Sequence, residues 1–229
     1  MNIWQSGDIT LYLGDCLDIL PTLESGSVDA MVTDPPYGIA LSNNDRDGHR
    51  RLSPYTIIGD ESNDVGNFVL EWARDAGLAT ITFASPWNPW PGTWRNLIVW
   101  DKGGAVGGGG DIKTCLKRSW ELIQVTRNGP MTGPRAESVW RFPITPKDLQ
   151  AHICAKPIPL LIDLIERFVP ERATILDPFV GSGSTLVACV QTGRKGIGIE
   201  IDPGYFETAK KRVLEAQAQT RLPGMGEPR

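Results

Sequence analysis

The stretch ATILDPFVGSGSTLVACVQTGRKGIGIEID, Ala173 to Asp202, changes its hydrophobic period twice. Ala173 to Leu176 is a short apolar and β-branched run that ends in a carboxylate, Asp177, and reads as a buried strand. Gly181 and Gly183 open a turn, Ser184 to Thr192 reads as a helix, and Gly193 stands just past its end. Lys195 to Asp202 is strand-like again. Strand, turn, helix and strand in this order predict a parallel sheet with helices packed on it.

The rest of the chain extends the pattern. Pro157 to Val169 places Leu160, Leu161, Leu164, Ile165 and Phe168 on one helical face, and a last helix is predicted from Pro203 to about Gln217. Upstream, Ile9 to Asp15, Val28 to Asp34 and Leu78 to Ser85 are short apolar runs, the first two ending in a carboxylate. Gly66 to Gly77 lies between the last two and carries Phe68, Val69, Trp72, Ala73 and Ala76 at helical spacing. The predicted fold class is therefore α/β, a doubly wound, mostly parallel sheet. Arg95 to Trp100 and Trp120 to Gly129 are strand-like and are expected to form an antiparallel hairpin at its edge.

A length of 229 residues, 41% hydrophobic and 22% charged, is that of one soluble globular domain spanning 1–229. Cys16, Cys115, Cys154 and Cys189 are scattered, which argues against a zinc site or a disulfide framework and for reduced thiols. No apolar run reaches the roughly 20 residues of a membrane helix, and the N-terminus lacks the pattern of a signal peptide. The expected setting is the cytoplasm. A net charge of −4 gives no global sign of a polyanionic partner. Locally, however, Lys102 to Lys147 holds eight basic residues against three acidic ones, behind a glycine-rich loop from Asp101 to Asp111. Trp87, Trp90 and Trp94 are expected to pack, His49 and His152 have no evident partner, and the tail from Arg221 is expected to fray.

Chemistry concentrates at two strand exits. At the first, the backbone around Gly181 and Gly183 can approach a ligand closely, and a helix N-terminus offers free amides. Leu186 stands where a dinucleotide fingerprint wants a third glycine or alanine, and no lysine makes a P-loop. Asp177 precedes the turn and Glu200 ends the next strand, where a ribose-hydroxyl acceptor would sit. The pair suggests an adenosine-containing ligand without a pyrophosphate.

The second exit is TDPPYG, Thr33 to Gly38. An amide or an aromatic amine is a poor nucleophile because its lone pair is delocalised. A fixed carboxylate and a neighbouring carbonyl that accept its N–H hydrogens localise that lone pair. The prolines confine Asp34 and Pro35 to extended backbone, so Asp34 would orient the amine and the Pro35 carbonyl would accept from it. Tyr37 would stack on a planar base, with Pro36 completing the rigid corner.

DPPY together with Phe179, Gly181 and Gly183 as FxGxG resembles the S-adenosylmethionine-dependent DNA amino-methyltransferases, which modify the exocyclic amine of adenine or cytosine. The order, catalytic motif first and cofactor turn near the C-terminus, resembles their permuted β class. LYLGDCLDIL, IVWDKG, HICAKPIPLLIDLI and GIEIDPGYFETAKKR resemble further segments of that family, although Ile153–Cys154–Ala155 stands where Pro-Thr-Gln is usual. The resemblance implies a seven-stranded Rossmann-like methyltransferase sheet and S-adenosylmethionine as cofactor. It implies cofactor contacts from Asp15, Lys156, Asp177, Phe179, Gly181, Ser182, Gly183 and Glu200, catalysis by Asp34, Pro35, Pro36 and Tyr37, and no metal.

Double-stranded DNA is the implied partner, with a short target-recognition segment inserted at about 102–150. Lys113, Lys117, Arg118, Arg127, Arg135 and Arg141 are the expected DNA contacts there. A homodimer and a separate restriction endonuclease stay open. Adenine N6 is favoured over cytosine N4 because the family's cytosine members more often carry serine at the position of Asp34. Attack through the cytosine ring carbon is disfavoured, since no cysteine follows a proline. RNA or a protein amide as acceptor, and a cofactor-binding module without turnover, remain the rival readings.

Overall fold

The computed structural model describes residues 2–37, 62–103, 119–126, 131–144 and 155–220. Strands β1 (Asn2–Ser6) and β2 (Ile9–Leu13) lead to helix α1 (Cys16–Ile19), and β3 (Ala30–Thr33) follows. Helix α2 (Asp64–Asp75) precedes β4 (Ala79–Ala84), β5 (Asn96–Asp101), β6 (Trp120–Val125) and β7 (Val139–Arg141). Helix α3 (Ile158–Phe168), β8 (Thr174–Asp177), α4 (Ser184–Thr192), β9 (Lys195–Glu200) and α5 (Pro203–Thr220) complete the described chain.

These strands form one sheet in the order β1-β2-β9-β8-β3-β4-β6-β5-β7. The five from β2 to β4 run parallel, as the apolar runs require. β6 turns antiparallel against β4, and β5 pairs antiparallel with β6. The expected hairpin is therefore present, but it is not the rim. Two strands go beyond the expected seven: β7 pairs parallel outside β5, and β1 folds back antiparallel on β2. Neither has an apolar run to betray it, since β1 is mostly exposed and β7 is only three residues long.

Alternation along the strands covers both faces of the sheet. Ala30, Val32, Ile81, Phe83 and Ile175 pack beneath α3, α4 and α5 through Leu160, Leu164, Leu186, Phe206 and Ala209. Met31, Leu176 and Ile199 face the other way, onto Ile19, Leu20, Val69 and Ala73. Helices on both faces make the sheet doubly wound. β9 holds α4 close because it has no side chain at Gly198, where a Cβ would lie 2.8 Å from Val180 and 2.9 Å from Leu11 and Leu186. Among the described residues no helix is long and apolar enough to cross a membrane.

Candidate active site

The parallel strands all deliver their carboxyl ends to one edge, which brings Asp15, Asp34, Asp177 and Glu200 together from four different strand exits. The amide of Gly14 donates to the carbonyl of Glu200 at 2.9 Å, locking the exit of β2 beside that of β9. Asp15 then caps α1, its Oδ1 accepting from the Leu17 amide at 2.9 Å.

Asp177 is 3% exposed, and its Oδ1 accepts from the Thr33 hydroxyl at 3.0 Å and the Phe179 amide at 3.1 Å. Burial pushes its pKa up to about 6, only partly opposed by hydrogen bonds from Thr185, Phe179 and Thr33, and the charge of Asp34 pushes in the same direction as burial. Glu200 is likewise raised by burial, with backbone amides opposing. Its Oε2 accepts from Gly181 and its Oε1 from Asp202, both at 2.8 Å. Each oxygen keeps a lone pair for a hydroxyl.

Gly183, at φ 86°, carries the turn into α4 so close to α5 that a Cβ would sit 2.9 Å from Ala209. A Cβ at Gly181 would instead meet nothing within 4 Å, so bare backbone faces open space between Asp177 and Glu200. Two carboxylates flanking a glycine turn are acceptors of the kind that an adenosine and its ribose would need. Ser182 is tied to α5. It is 3% exposed, and Arg212 of α5 donates to its carbonyl at 2.7 Å and its Oγ at 2.8 Å. Arg212 was not singled out from the sequence, although it lies one helical turn past Ala209 on the buried face of α5.

The DPPY corner lies alongside, joined to the glycine turn by the Thr33–Asp177 hydrogen bond. The Tyr37 hydroxyl donates to Asp34 Oδ1 at 2.5 Å, and Lys156 Nζ donates to Asp34 Oδ2 at 2.5 Å. Lys156 thus sits on the Asp34 carboxylate. Behind it stand two residues the sequence reading gave no role in the site. Glu121 Oε2 is 3.4 Å from Lys156 Nζ, within ion-pair range but off axis for a hydrogen bond, and Glu121 Oε1 accepts from Lys102. Burial works against the Glu121 charge, but Lys156 and Lys102 outweigh it and hold the carboxyl below its usual range. A lone acid inside an apolar strand is the signal that could have found it, because a buried charge demands a partner.

Trp90 is 4% exposed and lies under Tyr37, their ring centroids 6.4 Å apart, with its Nε1 donating to the Phe83 carbonyl at 2.9 Å. Trp94 donates to the Trp90 carbonyl, so both pack. Trp87 is 66% exposed and lies against Trp120 at 6.3 Å. Of the expected DNA contacts, Arg141 is at the catalytic end of β7, beside Asp101. Arg135 lies at the opposite end of the sheet, lining a cavity of about 490 Å³ with Asn96, Trp140 and Phe168. Lys113, Lys117, Arg118 and Arg127 lie outside the described residues, as do the glycine loop beyond Gly103, both histidines and the tail. Cys16 and Cys189 are buried thiols; burial and Asp15 push Cys16 up to about 12, and burial likewise raises Cys189.

A doubly wound sheet with an acidic glycine turn beside a DPPY corner is the arrangement expected from the resemblance to amino-methyltransferases. Comparison with known proteins agrees. Residues 113–211 match the N6/N4 family model described as DNA methylase. The chain is 29% identical to YubD of Escherichia coli (strain K12), with 89% of each chain covered. It is 25% identical to the type II methyltransferase M.ScaI of Streptomyces caespitosus, covering 95% of this chain and 84% of that one. The M1.HpyAVI–SAM complex superposes with a TM-score of 0.62 at 24% identity, covering 90% of this chain and 98% of that one. The PvuII DNA methyltransferase, cytosine-N4-specific, gives 0.65 at 12% identity, over 97% and 89%. Over residues 113–211 the chain is thus similar to the N6/N4 family of DNA methylases, and over most of its length to the relatives named above.

Proposed function

We propose that this protein transfers a methyl group from S-adenosylmethionine to the N6 amine of adenine in double-stranded DNA. The observation that supports the reading is the 3.0 Å bond from Thr33 to Asp177, which ties the DPPY corner at the exit of β3 to the glycine turn after β8. When bound, the cofactor supplies an electrophilic methyl on a positively charged sulfur. Asp15, Asp177, Glu200 and the backbone of Phe179, Gly181, Ser182 and Gly183 would hold it.

The target amine is paired inside a duplex, so the base must leave the stack, at a cost of a few kcal/mol. Tyr37 offsets this by stacking on the base, worth about 1–3 kcal/mol. As its ring turns to the base, its hydroxyl leaves Asp34 Oδ1, and the amine takes that acceptor. The second N–H goes to the Pro35 carbonyl. The nitrogen lone pair, no longer shared with the ring, then points at the methyl group, and orientation supplies most of the rate. Basic residues of the segment at about 102–150 would contact phosphates and the target sequence.

Adenine is preferred to cytosine on the aspartate at position 34. The N4 reading is kept because one structural neighbour is named as cytosine-N4-specific. The relatives' type II designation extends the proposal to a restriction-modification role with a separate endonuclease. Radiolabelled S-adenosylmethionine, offered with duplex DNA, RNA and bulk protein, tests the reading. Label in DNA adenine is the expected result. Label in cytosine selects the N4 alternative, and label in RNA or protein alone overturns the proposal. Cofactor binding without transfer to any acceptor leaves a binding module.

A further inference from the structure

Lys102, Glu121, Lys156 and Asp34 form a file of alternating charge that runs into the DPPY corner. They come from the end of β5, from β6, from the segment before α3 and from the exit of β3. Side-chain exposures of 11, 18, 9 and 24% along the file leave little water to screen these charges. Aromatic faces floor it, Phe83 at 4.9 Å under Lys156 and Trp100 at 5.2 Å under Lys102. The charges sum to zero, so each buried ion has an opposite neighbour, as burial requires.

The Lys156 ammonium is held between two carboxylates, at 2.5 Å from Asp34 and 3.4 Å from Glu121. Without the rear one, two buried lysines would share the single acid at the site of chemistry. We propose that Glu121 is a positioning residue for methyl transfer. It acts through Lys156 to hold the Asp34 carboxylate in the orientation that accepts the amine, and Lys102 fixes Glu121 in turn. This inference rests on the methyl-transfer reading above. Among the described residues Asp34, Glu121 and the Phe83 ring face Lys156; Lys102 reaches it through Glu121, and Tyr37 and Asp177 reach it through Asp34 and Thr33.

Glu121→Gln keeps the shape and removes the charge. In protein labelled with 13C at lysine, the Lys156 Cε signal, assigned with Lys156→Met, should titrate at least about one pH unit lower in Glu121→Gln than in the unmodified protein. Single-turnover methyl transfer to DNA should fall about tenfold and its alkaline decline should begin at a lower pH, while the cofactor Kd stays within about twofold. Glu121→Asp, which keeps the charge, should restore the midpoint and part of the rate. An unchanged midpoint and pH–rate profile would overturn the proposal. So would a rate loss equal at every pH that tracks a fall in melting temperature. If the unmodified protein transfers no methyl group, the positioning role falls with the reading of function. The NMR midpoint separates that failure from one confined to Glu121.

Discussion

Both carboxylate oxygens of Asp34 already accept a hydrogen bond, Oδ1 from Tyr37 and Oδ2 from Lys156. In the proposed reaction the amine replaces the Tyr37 hydroxyl on Oδ1, because stacking on the base turns the Tyr37 ring away. Asp34→Ala should lower methyl transfer by about 100-fold or more while cofactor binding, measured by calorimetry, is kept. Tyr37→Phe keeps the ring and frees Oδ1, so its rate should stay within about fivefold of the unmodified protein. Tyr37→Ala loses the stack, about 1–3 kcal/mol, and should show weaker base extrusion by 2-aminopurine fluorescence. Asp177 predicts a pH dependence. Its folded pKa of about 6 lies above the ordinary carboxylate value, so its stabilising contribution is full in acid and is lost as pH rises through 6. Asp177→Asn should therefore be the more stable protein at pH 7, by up to about 3 kcal/mol in urea unfolding, and should flatten the change between pH 4 and 6. It should also bind cofactor less well.

At the scale of the element, the turn between β8 and α4 depends on a residue without a side chain. Gly183→Ala combines a left-handed backbone with a clash on Ala209 and should cost about 2–3 kcal/mol in thermal or urea unfolding. The elements that build this edge were legible because each is an apolar run ending in a carboxylate or a glycine turn, and in a parallel sheet such ends coincide. β1 and β7 were not legible, since a strand with little buried surface leaves no period to read. The file from Lys102 to Asp34 was illegible for another reason. Lys102 and Glu121 are 19 residues apart and meet only because Asp101 pairs with Trp120 across β5 and β6. For the same reason the pairing of Lys156 with Asp34, 122 residues apart, could not be read from the sequence.

For the whole molecule, the net charge of −4 conceals a division of labour. Acidic groups line the pocket where an uncharged ribose and a cationic sulfur would lie, and the basic residues cluster in the stretch from Lys102 to Lys147. DNA binding should accordingly weaken with salt, reported as the slope of log Kd against log salt. The central claim is that one edge of this sheet joins an S-adenosylmethionine pocket to an amine-accepting corner and acts on adenine in DNA. Expressing the protein in methylation-deficient bacteria and mapping modified bases on their DNA by single-molecule sequencing tests it most directly. The account predicts N6-methyladenine at one short recurring sequence, absent with Asp34→Ala. DNA left unmodified by a folded, cofactor-binding protein would contradict it.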